Sequence, residues 1–194
     1  MTPRLRLRAF SAGDADHLVS LDADPCVMRY ISRGAPTSRD QIVDQILPRW
    51  IAGYVPGSCI GYWAIERADS AEFIGWVHLR PDRFTPEDME LGYRFVRRVW
   101  GAGLATEAST ALLDRGFRGE GVASVSSRTL MGNRASRRVM EKCGLEYRES
   151  FVYPPEMLVG WSLDERRAVK YDATRAKWLS WSGGSLSPQS SPIS

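Results

Sequence analysis

Residues 90–108 read ELGYRFVRRVWGAGLATEA, and this is the most informative stretch of the chain. A strand-like run enters a loop carrying Gly101 and Gly103, and apolar residues at helical spacing follow the loop. The first turn of a helix has unpaired N–H groups and the positive end of the helix dipole, and glycine lets an anion approach the backbone closely. Arg97 and Arg98 add positive charge. The stretch therefore predicts a phosphate or pyrophosphate site, with a glycine turn flanked by surface arginines as the alternative.

Two common phosphate motifs do not fit this loop. A Walker A loop needs Gly-Lys followed by Ser or Thr, and the stretch contains no lysine. The Rossmann fingerprint would place Thr106 where its last small residue belongs. That fingerprint also belongs in the first βαβ unit of a parallel sheet, whereas this loop follows an apparent hairpin in mid-chain. A dinucleotide-binding enzyme is therefore a poor fit.

Hydrophobic periodicity on either side predicts an alternation of strands and helices. The expected strands are Leu5 to Ala9, Tyr62 to Arg67, Phe73 to Arg80, Met89 to Val96, Val122 to Leu130, Leu145 to Tyr153 and Ala168 to Asp172. Helices are expected to begin at Ser11, at Ser38 with Gln41 completing a capping box, after Gly103, and at Asn133. We expect the first helix to end at Asp24-Pro25 and the second to break or kink at Pro48. The third should end at Gly119 to Gly121 and the fourth at Gly144.

Composition indicates one globular domain and does not suggest a nucleic-acid or membrane partner. The chain has 194 residues, 43% of them hydrophobic, and its net charge of +3 is too small to imply binding to nucleic acid or a membrane. Three dispersed cysteines and two histidines favour reduced thiols and no metal site. The absence of a signal-like segment and of a long apolar run predicts a cytoplasmic protein. Residues 1–179 are assigned to the domain and residues 180–194, rich in Ser, Gly and Pro, to a tail.

The glycine loop resembles motif A of the GNAT acetyltransferases. Residues 98–103, RVWGAG, match Arg/Gln-x-x-Gly-x-Gly/Ala at every specified position. Residues 133–145, NRASRRVMEKCGL, resemble the family's next motif, with Leu145 in place of its Phe. The opening residues 3–8, Asp24-Pro25, and residues 169–171 with Trp178 are similar to the branch of ribosomal-protein N-terminal acetyltransferases. The resemblance extends from Thr2 to Trp178.

This resemblance implies an α+β fold and acetyl-CoA as co-substrate. The mixed, mostly antiparallel central sheet would be flanked by helices and splayed between its two central strands, where the pantetheine arm would lie like an added strand. Arg98 to Gly103 would bind the pyrophosphate, and backbone groups of Phe95 and Val96 would face the arm, one N–H serving as oxyanion donor. The Asn133 side chain would form a hydrogen bond with the pantetheine arm or cap the helix that Asn133 begins. The implied cofactor-binding residues are Phe95, Val96, Arg98, Val99, Trp100, Gly101, Ala102, Gly103, Leu104, Asn133 and Arg138.

The resemblance also implies the catalytic residues. Many relatives place a proton-donating Tyr at the position of Met140, but in the ribosomal-protein branch a Ser takes that role and Ser136 matches it. A helix serine that bonds its own backbone is the alternative. The candidate general bases are Glu90, Glu156 and His78. Glu107 is interpreted as a favourable charge at a helix N-terminus.

The predicted function is direct acetyl transfer to a primary amine of a protein N-terminus or a small molecule. A non-catalytic acyl-CoA-binding module is the main alternative, because Met140 cannot donate a proton, and a dinucleotide enzyme is a weaker one. Acidic residues at Asp82, Glu87, Asp88 and Glu90 predict a cationic acceptor, with a solvated acidic loop as the alternative. The sequence does not decide between a monomer and a homodimer.

Overall fold

Seven strands form one sheet in this computed structural model, which describes residues 1–183. The strands lie in the order β1-β2-β3-β4-β5-β7-β6. Their bounds are β1 Leu5–Ala9, β2 Gly61–Arg67, β3 Phe73–Pro81, β4 Met89–Phe95, β5 Ser124–Leu130, β6 Glu146–Val152 and β7 Arg167–Thr174. The helices are α1 Ala15–Asp22, α2 Pro25–Ser32, α3 Arg39–Gln41, α4 Leu47–Ala52, α5 Leu104–Asp114, α6 Arg134–Lys142 and α7 Arg175–Ser182.

The two central strands separate along most of their length. All neighbouring strands are antiparallel except β4 and β5, which are parallel and pair only through Met89 with Val125 and Glu90 with Ser126. Beyond Glu90, the remainder of β4 has no ladder partner on the β5 side. The predicted mixed, mostly antiparallel sheet, splayed between its central strands, is confirmed.

Each face of the sheet carries its own apolar core. On one face, Leu91 and Phe95 of β4 pack with residues of α5 and α6, including Leu104 and Met140. On the other face, Trp76 of β3 packs with residues of α1, α2 and α4. Because side chains alternate along a strand, Glu90, Gly92 and Arg94 share that second face. The helices that follow β1 therefore cover the side of β4 that carries Glu90.

Two predictions for the first helices were wrong in detail. Asp24-Pro25 does not simply end a helix: the Asp24 carboxylate accepts a hydrogen bond from the Cys26 N–H (2.8 Å), and Pro25 opens α2 at the position where proline suits a helix. Of the break or kink expected at Pro48, the break does not occur, and the helix is instead irregular just before the proline. The chain stays helical from α3 to α4 through a π turn over Ile42–Ile46, and this wider turn just before the proline accommodates its ring.

The domain extends beyond its predicted end. Helix α7 includes residues 180–182, which were assigned to the tail, and Ser182 is buried. Trp178 anchors this helix, since its ring is fully buried and its indole N–H donates to the Cys143 carbonyl (2.9 Å). Residues 184–194 of the predicted tail lie outside the described residues. Within residues 1–183, every helix is too short or too polar to cross a membrane.

Candidate active site

A cavity of about 1070 Å³ opens where β4 and β5 diverge. Its walls come from α2, β4, the glycine loop, β5, α6 and the segment after β6. Among the predicted site residues, those that line it are Glu90, Phe95, Val99, Trp100, Gly101, Gly103, Leu104, Asn133, Ser136 and Arg138. Val96, Arg98, Ala102 and Glu156 do not line it. Most residues of the two sequence motifs therefore meet at one place.

The glycine loop presents an open backbone at the start of α5. Gly101 and Gly103 have φ angles of 78° and 77°, which glycine adopts without the clash that a side chain would cause. No heavy atom lies within 4 Å of a Cβ built on Gly101. The indole N–H of Trp100 donates to the Phe95 carbonyl (2.8 Å) and fixes the loop to the end of β4. This backbone, at the positive end of an 11-residue helix, fits a phosphate group.

Arg98 does not point into this cavity. Its guanidinium donates to the Glu72 carboxylate (2.6 Å) and to the Phe73 carbonyl (3.4 Å). Together with Val96 it lines a neighbouring cavity of about 580 Å³. The Arg98 side chain therefore connects the loop to the start of β3, and any contact of this residue with pyrophosphate would have to come from its backbone.

One hydrogen bond shows which backbone groups of β4 face the gap between β4 and β5. The Val96 N–H donates to the Ile74 carbonyl of β3 (3.0 Å), and the Val96 carbonyl accepts from the Val99 N–H (3.2 Å). Backbone groups alternate in direction along a strand, so those of Phe95 and Tyr93 point to the other side, toward β5. The prediction that Val96 offers its N–H to a ligand was wrong, and the Phe95 carbonyl is occupied by Trp100. The Phe95 N–H is left facing the gap.

Glu107 joins helix α5 to the start of the chain. Its carboxylate accepts hydrogen bonds from the Thr2 hydroxyl (2.6 Å), the Arg4 N–H (3.1 Å) and the Arg4 Nε (2.6 Å). Arg4 also donates from Nη1 to the Ala102 carbonyl in the glycine loop (3.0 Å). Glu107 lies in the first turn of α5, as predicted, and in addition it holds the arginine that contacts the loop.

Asn133 and Ser136 form the start of α6. The Asn133 side-chain oxygen accepts from the Ser136 N–H (3.2 Å), so Asn133 has the capping role that the sequence allowed. The Ser136 hydroxyl lies 3.1 Å from the Tyr93 hydroxyl, which also donates to the Ser136 carbonyl (2.9 Å). Ser136 thus bonds to a residue of β4 rather than to its own helix. The sequence pattern assigned no role to Tyr93, although this residue lies within residues 90–108.

Tyr93 and Cys143 both keep their protons at neutral pH. Burial raises the pKa of the Tyr93 hydroxyl well above its usual range, so this group donates hydrogen bonds without ionising. Burial likewise raises the pKa of the Cys143 thiol to about 11. A neutral buried thiol is a poor nucleophile, which disfavours Cys143 as a site of covalent attachment.

The three candidate bases are placed very differently. Glu90 lines the cavity and forms an ion pair with Arg80, its cross-strand partner. Glu156 is exposed and stands outside the cavity wall, to which its neighbours Met157 and Leu158 belong. His78 is buried, and both of its ring nitrogens lack a hydrogen-bond partner among the described residues. Only Glu90 is in a position to exchange a proton with a ligand in the cavity.

The buried His78 makes a testable contribution to stability. Burial, together with the guanidinium groups of Arg80 and Arg94, holds the pKa of His78 well below its usual range, whereas the unfolded chain titrates near 6.5. Below about pH 6.5 the unfolded chain therefore binds a proton that the folded chain does not. We expect the free energy of unfolding to fall by up to about 1.4 kcal/mol per pH unit between pH 6.5 and 5.

Urea denaturation at pH 7.5, 6.5 and 5.5 measures this slope. The slope should become shallower in His78→Leu and stay unchanged in His17→Gln, because His17 is exposed. Equal slopes in the wild type and His78→Leu would show that His78 does not carry this dependence.

Most of the acidic residues that predicted a cationic acceptor interact with basic or hydroxyl side chains of the chain itself. Asp82 is buried against Arg128 and accepts from the Ser126 hydroxyl (2.5 Å). Burial alone would raise its pKa, but these donors and the Phe84 N–H outweigh it and hold the pKa of Asp82 below its usual range. The Asp88 carboxylate accepts a hydrogen bond from the Ser124 hydroxyl and lies 3.8 Å from the Lys170 ammonium group. Of the four acidic residues, only Glu87 is exposed and without such a partner in the described chain.

Comparison with known proteins gives consistent similarities. Residues 4–146 match a family model described as an acetyltransferase (GNAT) domain. The chain is 32% identical over 192 residues to the FsC-acetyl coenzyme A-N(2)-transacetylase of Aspergillus fumigatus, covering 92% of this chain and 77% of that protein. The crystal structure of a GNAT-family acetyltransferase from Bacillus anthracis has a TM-score of 0.75 at 19% identity, covering 91% of this chain and 98% of that one. Spermidine N-acetyltransferase from Vibrio cholerae, in complex with CoA and spermine, has a TM-score of 0.70 at 19% identity, covering 90% and 98%.

Proposed function

The chain belongs to the GNAT acetyltransferase family, and on that premise we propose that it transfers an acetyl group directly from acetyl-CoA to the primary amine of a small molecule. One observation carries the proposal: the glycine loop, the unpaired edge of β4 and the Ser136 hydroxyl all face one cavity. A cofactor with a pyrophosphate, an extended amide-bearing arm and a reactive thioester needs these three features in that order.

The residues of this cavity fit acetyl-CoA. Gly101 and Gly103 would receive the pyrophosphate on backbone N–H groups, and the edge of β4 at Tyr93 and Phe95 would pair with the amides of the arm. Arg138 lies on the same wall, on exposed α6, where it suits a phosphate. Acetyl-CoA, when bound, supplies the activated acyl group. One N–H of this edge of β4 that is not paired with the arm would stabilise negative charge developing on the carbonyl oxygen.

Proton transfer is assigned to Glu90 and Ser136. The attacking amine must be neutral, and Glu90 is the carboxylate of the cavity that can accept its proton, directly or through water. The departing thiolate needs a proton donor. Many relatives have a tyrosine for this role at the position of Met140, and here Ser136 would take the role instead. The Tyr93 hydroxyl would position Ser136, because its hydrogen can turn between the carbonyl and the hydroxyl of that residue.

A small-molecule acceptor is preferred to a protein N-terminus. The ribosomal-protein branch suggested by the sequence is not supported by the relatives found. The Aspergillus relative is named for acetyl transfer to an N(2) atom, and the Vibrio neighbour for transfer to spermidine. Tyr30 of α2 and Gly132 both line the cavity, and the Tyr30 hydroxyl donates to the Gly132 carbonyl (3.0 Å). This link between α2 and the segment before α6 would leave more room for a compact amine than for an extended peptide.

Release of the free thiol of coenzyme A distinguishes an enzyme from a binding module. We expect the chain to release thiol from acetyl-CoA in the presence of suitable primary amines, with one equivalent of acetylated amine formed. The measurement is a coupled thiol assay with mass spectrometry of the product. Binding of acetyl-CoA without thiol release, on every amine tested, would contradict the proposed function and favour an acyl-CoA-binding module.

Replacing Ser136 should impair the chemical step. We expect Ser136→Ala to lower kcat by roughly tenfold to a thousandfold with little change in the KM for acetyl-CoA, because the thiolate loses its proton donor. Cys143→Ala should keep most of the activity, since direct transfer requires no acetylated cysteine. Steady-state kinetics measures both variants. Detection of acetylated Cys143 during turnover would contradict direct transfer, and full activity in Ser136→Ala would remove its role.

A further inference from the structure

Positive charge dominates the cavity wall. Among the described residues, Glu90 is the only acidic side chain in the lining, and the basic ones are Arg29, Arg83, Arg94, Arg97, Arg128, Arg134, Arg138 and Lys142. Four of these stand on the glycine loop or α6, where they can meet phosphates of the cofactor. The other four come from α2, the loop after β3, β4 and β5. The second group surrounds the space left for the acceptor.

Two arginines of this second group already form ion pairs with carboxylates of the chain. Arg94 forms an ion pair with Asp22, and Arg128 with Asp82. Arg29 and Arg83 have no carboxylate within ion-pair distance in residues 1–183. Their guanidinium carbons lie 5.3 Å and 5.1 Å from the ring centres of the adjacent Tyr30 and Phe84. Both guanidinium groups are therefore available to a ligand.

This charge distribution disfavours a polycationic acceptor. A spermidine-like molecule would bring several ammonium groups toward Arg29 and Arg83, and Asp82, Asp88 and Glu90 already interact with cations of the chain. The same charge favours a neutral amine over an ammonium group, because nearby cations disfavour the protonated form. The wall thus helps Glu90 to generate the nucleophile.

The remaining acceptor wall is largely apolar and aromatic. It is formed by Tyr30, Ile31, Trp76, Tyr153, Met157 and Leu158. Guanidinium groups bind carboxylates through paired hydrogen bonds in a matching planar geometry. An occupant that matches both parts of the wall has an apolar body and a carboxylate.

We propose, on the basis of the proposed function, that the acceptor is an α-amino acid or a similar small amine that bears a carboxylate, and that Arg29 and Arg83 bind this carboxylate. The apolar part of the acceptor then lies against the aromatic side of the cavity. The amine is directed toward Glu90 and the acyl carbonyl. This assignment replaces the cationic acceptor that the sequence alone predicted.

The test compares matched acceptors with and without the carboxylate. L-Phenylalanine and L-leucine are assayed beside their amides, spermidine and an aminoglycoside, by thiol release. We expect kcat/KM to be at least tenfold higher for the amino acids than for spermidine. In Arg29→Gln and Arg83→Gln, the KM for the amino acids should rise at least tenfold while that for the amides changes less than threefold. Because each variant is compared with itself on two acceptors, the different amine pKa values of acid and amide cancel.

Arg49→Gln is the control, since Arg49 is exposed on α4 and lies outside the cavity wall. It should leave every KM unchanged, and the KM for acetyl-CoA should stay constant in all three variants. Equal losses on acids and amides, or turnover confined to spermidine and the aminoglycoside, would overturn the carboxylate assignment while leaving the acetyltransferase function intact. Acetyl-CoA binding without transfer to any amine would instead refute the proposed function.

Discussion

Gly101→Val and Gly103→Val should each weaken acetyl-CoA binding at least a hundredfold, about 2.7 kcal/mol, without unfolding the protein. Both residues have φ near 78°, where a β-branched side chain is strained, and both line the cavity. A valine side chain would also occupy the space in which a phosphate reaches the backbone N–H groups. Isothermal titration calorimetry with acetyl-CoA measures the loss.

Gly121→Val provides a matched control for this experiment. Gly121 also has a positive φ (66°), and no heavy atom lies within 4 Å of a Cβ built on it, but it does not line the cavity. The control should share the backbone strain and keep its affinity for acetyl-CoA. Unchanged affinity in both loop variants, with thermal melting showing that they are folded, would place the anion site elsewhere.

Removing the Arg128 guanidinium should destabilise the fold by about 3–5 kcal/mol, because it would leave a buried carboxylate without its counter-charge. The Asp82 side chain is fully buried and that of Arg128 is 5% exposed. In Arg128→Met, Asp82 would keep only the Ser126 hydroxyl and the Phe84 N–H as donors. Urea denaturation at pH 7.5 measures the free energy of unfolding.

Two further variants separate the buried charge from other effects. The double variant Asp82→Asn with Arg128→Met should recover much of the lost stability, because no uncompensated charge remains. Arg39→Met, which removes an exposed ion pair with Asp16, should change stability little. If Arg128→Met behaves like Arg39→Met, the buried pair does not have the importance assigned to it.

The sequence was most informative where structure depends on near neighbours. The Asn133 cap and the helix end at Gly144 follow from local backbone chemistry, and the structure confirms both. Helix α2 was missed because Asp24-Pro25 ends one helix and begins another, and the two roles share the same residues.

The candidate site was predicted less completely because its charges are paired over long distances in the chain. Asp82 and Arg128 are 46 residues apart, so sequence alone showed an acidic cluster where the fold contains ion pairs. Tyr93 and Ser136 are 43 residues apart, and their contact depends on how α6 packs on β4. Pairings of this kind depend on the register of strands and the placement of helices, which a single sequence does not specify.

The hydrogen bond from Arg4 to the Ala102 carbonyl also fixes the direction of the Gly103 N–H, because both groups belong to the same peptide unit. In a trans peptide the C=O and the following N–H point in opposite directions. Fixing the Ala102 oxygen toward β1 therefore turns the Gly103 N–H away from that strand, and Gly103 lines the cavity. A phosphate would meet a donor whose orientation is set before binding, so less conformational entropy is lost when the complex forms. Arg4, which precedes β1, is not part of the cavity wall, yet it would set the geometry of the proposed anion site.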